Sequence, residues 1–294
     1  MNGTSILPQL LMSGLVIGCV YALIGLGFVV IFKATKILNF AQGELLMLGA
    51  YMCFVFNVTL KLPYVVAFLL TLVFAFVLGI VLEFALFRHM VGQPVFSMIM
   101  ITVGLSSVFR SIAVFIWGDM DMVPLPSPFP KDSITVLGAS ITYPQLVTLC
   151  GTVGMLALFA LFYRISKVGT AIRAACDDQD AASLTGVNLN RVFQIAWIMA
   201  AVVATVGGIF LGHINYLDTS MGFIAIHVFP AVILGGMESI LGALLGGLII
   251  GMAENLVGGL ISSNLQGVTA YIVLIIILLI KPHGLFGEDE IERI

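Results

Sequence analysis

Apolar segments of about 20 residues, the length of a helix that crosses a bilayer, recur along this chain and constrain its fold more than any other feature. They predict membrane segments at residues 7–32, 40–58, 63–87, 94–117, 143–163, 192–214, 222–236, 240–261 and 267–280. Hydrophobic residues make up 61% of the chain and charged residues only 9%, which is too few to coat a water-soluble surface. We therefore predict an all-α, polytopic helical bundle of eight or nine membrane segments, in which residues 1–294 form a single transmembrane domain.

The segment at residues 222–236 is short for a membrane crossing. A helix of that length rises about 22 Å, whereas the hydrocarbon core of a bilayer is about 30 Å thick. Two interpretations stay open: the segment spans the bilayer, or it is a re-entrant or broken helix buried among its neighbours.

The distribution of lysine and arginine predicts an orientation, because these residues concentrate in cytoplasmic connections. When connections are assigned alternately to the two sides, nine basic residues fall on one side: Lys33, Lys36, Arg88, Arg164, Lys167, Arg173, Arg191, Lys281 and Arg293. Only Lys61 and Lys131 fall on the other side. If residues 222–236 span the bilayer, this distribution predicts an outside N-terminus and an inside C-terminus.

Glycine pairs spaced four residues apart indicate closely packed membrane helices, since small residues let two helix backbones approach. The pairs are Gly14 with Gly18, Gly242 with Gly246, and Gly247 with Gly251. The last two pairs lie on one segment, so that helix is expected to pack on two sides. Packing within the bundle is favoured, and an interface with a second membrane subunit is the alternative.

The connection at residues 164–191 is long, charged and amphipathic, unlike the other connections. Its sequence predicts one short helix over residues 170–176 and a second that is capped by Asp177 or Asp178 and ends at Gly186. Helices this short are marginal in water unless they pack on something. We therefore expect an exposed apolar face that fits a groove of a soluble partner; the alternative is a plain connector between spans.

Polar residues within the spans are candidates for a translocation pathway, because a charge at the bilayer centre costs about 2.5–3.5 kcal/mol on insertion scales. The candidates are Asn39, Gln42, Glu44, Thr102, Ser106, Arg110 and Glu254. Glu44 is expected near the cytoplasmic start of its span, in a gate or in a snorkelling or capping position. Arg110 is expected to point into the bundle, where it either contacts substrate or pairs with a glutamate such as Glu254.

Several function classes find no support in the sequence. The chain lacks the G-x-x-x-x-G-K-[ST] loop that cradles ATP phosphates, the HExxH zinc motif and the G-x-S-x-G nucleophile elbow. No basic run suggests nucleic acid as a partner. We therefore predict no catalytic residues, no metal ligands and no cofactor bound by this chain.

Several segments in both halves of the chain resemble ABC importer permeases of the branched-chain amino-acid type, the LivH family. The first is GTAIRAA at residues 169–175, followed by Ala181-Ala182 and Gly186-Val187, which resembles the coupling loop of such permeases. The others are LNFAQGEL at 38–45, LGAY at 48–51, VILGG at 232–236, GALLGG at 242–247 and KPHGLFG at 281–287. Their shared order and spacing support the resemblance more than any one of them does.

The resemblance implies a multi-pass permease with a type II-like fold in the bacterial inner membrane. The implied partners are a second related permease, two ATPase subunits that bind ATP and Mg²⁺, a periplasmic substrate-binding protein and membrane lipid. It also implies that loop 164–191 sits in a groove of an ATPase. The residues expected to couple the two are Gly169, Arg173, Ala174, Asp177, Asp178, Ala181, Leu184 and Gly186.

Two questions stay open from the sequence. The serious alternative function is a secondary transporter or channel that works without ATP and couples ions through Glu44, Arg110 or Glu254. Branched-chain amino acids are the expected cargo, with urea, short amides and aromatic acids as alternatives.

Overall fold

The computed structural model describes residues 6–90, 93–118, 122–130, 132–136, 138–282 and 284–287. Lys131 and Arg293, which entered the predicted orientation, lie outside the described residues. The described α-helices are α1 (Ile6–Thr35), α2 (Gln42–Phe54), α3 (Tyr64–Ala85), α4 (Val95–Trp117), α5 (Tyr143–Ile165), α6 (Lys167–Asp177), α7 (Gln179–Leu184), α8 (Leu189–Ile214), α9 (Ile224–Gly235), α10 (Ile240–Leu260) and α11 (Gln266–Ile280).

Short elements extend or join these helices. A π-helical turn at Val55–Thr59 continues α2, and 3-10 helices lie at Phe87–Met90, Thr219–Phe223 and Ser263–Leu265. Strand β1 (Ser133–Val136) pairs antiparallel with β2 (Ala139–Thr142), with Ser133 opposite Thr142. The connection between α4 and α5 therefore carries a small hairpin.

Seven helices in the described part of the chain are long and apolar enough to cross a membrane: Ile6–Thr35, Tyr64–Met90, Val95–Trp117, Tyr143–Ile165, Leu189–Ile214, Ile240–Leu260 and Ser263–Ile280. The predicted count of eight or nine is not confirmed. Of the two other predicted segments, 222–236 appears as the shorter apolar helical stretch Thr219–Gly235. Segment 40–58 appears as α2 with its π-helical turn.

Helix α1 lies at the centre of the bundle and packs antiparallel on α10 through glycine. A Cβ added at Gly14 would lie 2.8 Å from Cα of Met252, and one added at Gly18 would lie 2.9 Å from Cα of Leu248. A Cβ at Gly251 would clash with the backbone of Gly18. Nothing larger than hydrogen fits at these three positions, so the two backbones touch.

The opposite side of α10 packs on α9 in the same way. A Cβ added at Gly242 or Gly246 would clash with the carbonyl oxygens of Gly235 and Ala231 of α9. The structure therefore places α10 between two helices of its own chain, with the predicted glycine pairs at both contacts.

The direction of the helices fixes how the chain runs between α8 and α10. Helix α8 is antiparallel to α1, since Gly207 faces Ile24 while Ala200 faces Gly27. Helices α8 and α10 thus run in the same direction, and residues 215–239 must return the chain across the bundle between them. Helix α9 makes that return together with the 3-10 helix before it.

The bundle has two ends, which we call the loop end and the opposite end. The loop end carries residues 164–191, and there the Gln179 side chain donates a hydrogen bond to the Ala34 carbonyl at 3.2 Å. The opposite end is where α1 begins and where the β-hairpin lies.

Helix α2 begins inside the bundle and not at its loop end. The side-chain amide of Gln42, the first residue of α2, donates to the Ala200 carbonyl at 3.2 Å. Ala200 lies 11 residues after the start of α8, which corresponds to about 16 Å along the helix axis. Residues 36–41 therefore re-enter the bundle. Glu44 lies in the first turn of α2, at the start of its segment as predicted, but that start is near mid-depth and not at the loop end.

The glycine contact between α1 and α10 yields a stability prediction. Gly251→Ala should lower the free energy of unfolding by about 1–3 kcal/mol, because the added methyl group has no space against Gly18. Gly154→Ala in α5 is the matched control, since a Cβ there meets nothing within 4 Å. Thermal unfolding of the purified chain in detergent measures both, and equal melting temperatures for the two variants would contradict the packing described.

Candidate functional site

A buried ion pair joins α2 and α4 near mid-depth. The guanidinium group of Arg110 donates to the Glu44 carboxylate, whose side chain is 3% exposed, whereas that of Arg110 is 32% exposed. The ring of Phe223 covers the guanidinium group, with Cζ of Arg110 3.8 Å from the ring centroid. Arg110 therefore pairs with a glutamate, as one of the two predicted alternatives has it, but the glutamate is Glu44 and not the suggested Glu254.

The turn before α2 and two glycines hold Glu44 in this position. Asn39 caps the turn, since its Oδ1 accepts from the Ala41 backbone N–H at 3.1 Å and its Nδ2 donates to Gln42 Oε1 at 3.1 Å. A Cβ added at Gly43 would clash with the carbonyl oxygen of Gly222, and one added at Gly222 would lie 2.8 Å from Oε1 of Glu44, so these two glycines let the 3-10 helix approach α2. Glu44 lies in the first turn of α2, where the helix dipole favours a negative charge.

An apolar cavity of about 250 Å³ lies beside this ion pair, and we call it the pair cavity. Its lining includes Glu44, Arg110, Ser106 and a group of aromatic rings, namely Phe28, Phe40, Phe223 and Phe229. The Phe229 ring lies 6.2 Å from that of Phe28 and 5.6 Å from that of Phe40. The cavity thus combines an aromatic wall with one cation and one anion.

The remaining predicted residues of α4 divide between its two faces. Thr102 is buried, and its single hydroxyl proton is within hydrogen-bond reach of two carbonyl oxygens, those of Ile99 at 2.8 Å and Leu38 at 3.2 Å. Ser106 is half-buried and donates to the Val103 carbonyl at 2.8 Å. Ser106, Glu44 and Arg110 therefore lie together at the pair cavity. Thr102 instead connects α4 to residues 36–41, which re-enter the bundle.

Glu254 belongs to a second polar cluster, separate from the pair cavity. Its carboxylate accepts a hydrogen bond from the Tyr21 hydroxyl at 2.7 Å and lies 3.1 Å from Nδ1 of His227. Glu254 is 1% exposed, and the cluster ties α1, α9 and α10 together. It borders a cavity of about 660 Å³ that opens toward the opposite end, where Asp218 also lines the wall. Hydrogen bonds from Ser220 lower the pKa of Asp218, which keeps that wall negatively charged.

Tyr21, His227 and Phe223 were not identified from the sequence as members of these clusters. Each lies in apolar sequence, where a single polar or aromatic residue does not show what it contacts. Tyr21 and Glu254 are separated by 233 positions, so only the packing of α1 on α10 brings them together.

The predicted helices of loop 164–191 are present as α6 and α7. The first begins three residues before the predicted start, at Lys167, because Ser166 caps it by accepting from the Gly169 N–H at 2.8 Å. Asp178 caps the second, accepting from the Ala181 N–H at 2.9 Å. Gly186 has a φ of +89°, the left-handed conformation expected after a helix ends.

One face of these two helices packs on the chain's own bundle. Ile172, Ala175 and Ala182 are buried there, in a core shared with α1, α5 and α8. A Cβ at Gly169 would clash with the Tyr163 carbonyl, so α6 lies directly against the end of α5.

The other face of the loop is open. Leu184 is 89% exposed and Ala181 is exposed, whereas Ala174 is half-buried. Arg173 folds back toward the end of α5, where its guanidinium group donates to the Tyr163 carbonyl and, at 3.0 Å, to the hydroxyl of Thr170 in its own helix. The side chain of Asp177 lies outside the described residues.

Comparison with known proteins gives consistent matches over most of the chain. The family model described as branched-chain amino acid transport system, permease component, matches residues 10–280. The chain is 32% identical to the high-affinity branched-chain amino acid transport system permease protein LivH of Salmonella typhimurium, over 97% of both chains. It is 29% identical to the corresponding permease protein BraD of Pseudomonas aeruginosa, again over 97% of both chains.

A solved structure has a similar fold. A chain of PsaBC from Streptococcus pneumoniae in complex with Fab superimposes with a TM-score of 0.53, covering 94% of this chain and 92% of that one. The sequence identity is 13%, so this likeness concerns the fold alone.

The hydrogen bond between Tyr21 and Glu254 yields a second stability prediction. Tyr21→Phe should lower the free energy of unfolding by about 1–3 kcal/mol, because a buried carboxylate loses a donor. Tyr271→Phe is the matched control: it removes a hydroxyl that donates to the Ile226 carbonyl at 3.1 Å, from a residue that is 38% exposed. Melting temperatures in detergent compare the two, and a control that is destabilised as much as Tyr21→Phe would refute the structural role of the Glu254 cluster.

Proposed function

The chain belongs to the LivH-type family of branched-chain amino acid ABC transporter permeases, and we propose on that premise that it is the membrane subunit of an ATP-driven importer. It works in the bacterial inner membrane and carries branched-chain amino acids by alternating access. It hydrolyses no ATP itself: ATP and Mg²⁺ bind to two partner ATPase subunits, and a periplasmic binding protein delivers the solute.

One observation carries this proposal, the arrangement of loop 164–191. Its two helices are fastened to the bundle on one side by Ile172, Ala175 and Ala182, and they leave Leu184 exposed on the other. Leu184 is 89% exposed outside the candidate spans, next to the exposed Ala181, and an apolar face of this kind on a short helix suits a groove of a partner protein. We propose that Leu184 and Ala181 enter a groove of the ATPase, and that Arg173, Asp177 and Asp178 lie at its rim.

The attachment of the loop suggests how movement reaches the spans. Gln179 donates to the Ala34 carbonyl at 3.2 Å, next to the end of α1, and Gly169 lies against the end of α5. A displacement of α6 and α7 by the ATPase would therefore move α1 and α5 directly. Because α1 packs on α8 and on α10, with no space for a methyl group at its glycine contacts with α10, these helices would move with it and open the bundle toward the other side.

The exposed face of α4 supports a second permease as a partner. Ser107 and Ser111 are exposed there, and both hydroxyls donate within their own helix, to Val103 and Ser107 carbonyls. Arg110 is 32% exposed on the same helix. Charged groups at this depth are unfavourable against lipid, so they face protein or a water-filled cavity. We propose that a second, related permease covers this face and that the solute passes between the two.

The open face of the loop generates a functional prediction. Leu184→Asp or Ala181→Glu should abolish ATP-dependent leucine uptake by the complete transporter and weaken retention of the ATPases, since a buried interface anchor contributes about 2 kcal/mol or more. Thr135→Glu, on the exposed hairpin at the opposite end, is the control and should leave both unchanged. Uptake into proteoliposomes and co-purification in detergent provide the two measurements.

The same experiment separates the two function classes. A chain that transports leucine without any co-purifying ATPase and without ATP would be a secondary transporter or channel. Uptake that stays coupled to ATP in both loop variants would contradict the proposed role of the loop.

A further inference from the structure

We propose that the pair cavity is a solute-binding site that recognises the charged groups of a free amino acid, with Arg110 taking the carboxylate and Glu44 the ammonium group. This inference rests on the proposed function and deepens it, because it assigns to two residues of this chain the choice of solute inside the membrane. Without solute, the two side chains pair with each other and keep the site closed.

The argument begins with the cost of an unpaired charge in a buried place. Glu44 is 3% exposed, so little water can replace its lost partner, and Arg110, at 32% exposed, is only partly solvated when the pair separates. A solute that separates them must therefore supply one anion and one cation. An amino acid does so. A simple carboxylate would leave Glu44 unpaired, an amine would leave Arg110 unpaired, and urea or a neutral amide would pair with neither.

Arg110 has an unused hydrogen-bond donor that can bind the carboxylate of such a solute. Its Nε–H is buried and has no hydrogen-bond partner among the described residues, while an Nη group of the same guanidinium donates to Glu44. A carboxylate accepts two parallel hydrogen bonds from the Nε and Nη groups of arginine. Binding would thus satisfy the unpartnered Nε–H, provided that the Phe223 ring over the guanidinium group moves aside.

The rest of the cavity fits an uncharged side chain. Phe28, Phe40 and Phe229 form its wall, and the cavity volume is about 250 Å³. This volume lies just below the range of about 300–1,000 Å³ that accommodates drug-sized ligands. The site therefore suits a small amino acid with an apolar side chain, because the described residues of its lining carry no charged group besides Glu44 and Arg110.

The first test compares four probes on the purified full-length chain in lipid nanodiscs. L-Leucine carries both charges, 4-methylpentanoate lacks the ammonium group, 3-methylbutylamine lacks the carboxylate, and 4-methylpentanamide carries no charge. We expect leucine to raise the melting temperature and each of the other three to bind at least about tenfold more weakly, as estimated from the concentration that gives half the shift. Absence of a leucine shift, or an equal shift with any of the other probes, would overturn the proposal.

The second test removes the pair without leaving a lone buried charge. The double variant Glu44→Gln with Arg110→Gln should fold, because neither charge remains, and should lose the leucine shift. The matched control is Glu83→Gln with Arg88→Gln, which removes another pair, joined at 3.2 Å between Arg88 Nε and Glu83 Oε1, away from the cavity. The control should keep the shift, and a full leucine shift in the first variant would overturn the proposal.

These outcomes are distinct from those that test the proposed function. If the double variant does not fold, the comparison of the four probes on the unmodified chain still decides. If leucine does not bind while the ATPases co-purify and drive uptake, the proposed solute site is contradicted and the proposed ATP-driven import is supported. If leucine binds but no ATPase is retained through the loop, the proposed solute site is supported and the proposed ATP-driven import is contradicted.

Discussion

The backbone contact between α1 and α10 is the constraint on which the rest of this structure depends. Lipid is as apolar as the helices, so burial of apolar side chains does not drive membrane helices together, and close packing must do so. Gly14 and Gly18 of α1 meet Gly251 of α10 with no space for a methyl group. This contact fixes α1 at the centre of the bundle and sets the position of everything that packs on it.

Two helices with an end inside the bundle create the polar sites around α1. Helix α2 begins at mid-depth, and α9 is only 12 residues long, so helix ends and short connections lie inside the bundle. Exposed backbone groups at such ends must find partners within the protein. Asn39 satisfies part of this need at the start of α2. The same arrangement lets the 3-10 helix touch Glu44, which places a carboxylate beside Arg110 where a continuous span would have placed only apolar groups.

Much of the fold follows from the sequence, because its signals are local. Span positions depend on the length of apolar segments, and the bounds of α7 depend on Asp178 and Gly186, whose capping roles are visible in the sequence. The contacts of the polar residues are not local. Glu44 and Arg110 are 66 positions apart, and nothing near either residue in the sequence indicates their contact, so the sequence suggests Glu254 only as an example of a partner. Which of the two glutamates Arg110 contacts depends on the depth at which α2 begins inside the bundle. The amino-acid composition does not determine that depth.

The central claim is that loop 164–191 is the surface through which ATPases act on this membrane domain, and cysteine labelling tests it most directly. In a chain whose four native cysteines are replaced, Leu184→Cys is treated with a membrane-impermeant maleimide, with and without the bound ATPases. Our account predicts rapid labelling of the chain alone, since Leu184 is 89% exposed, and protection in the assembled transporter. Equal labelling in both states would contradict it.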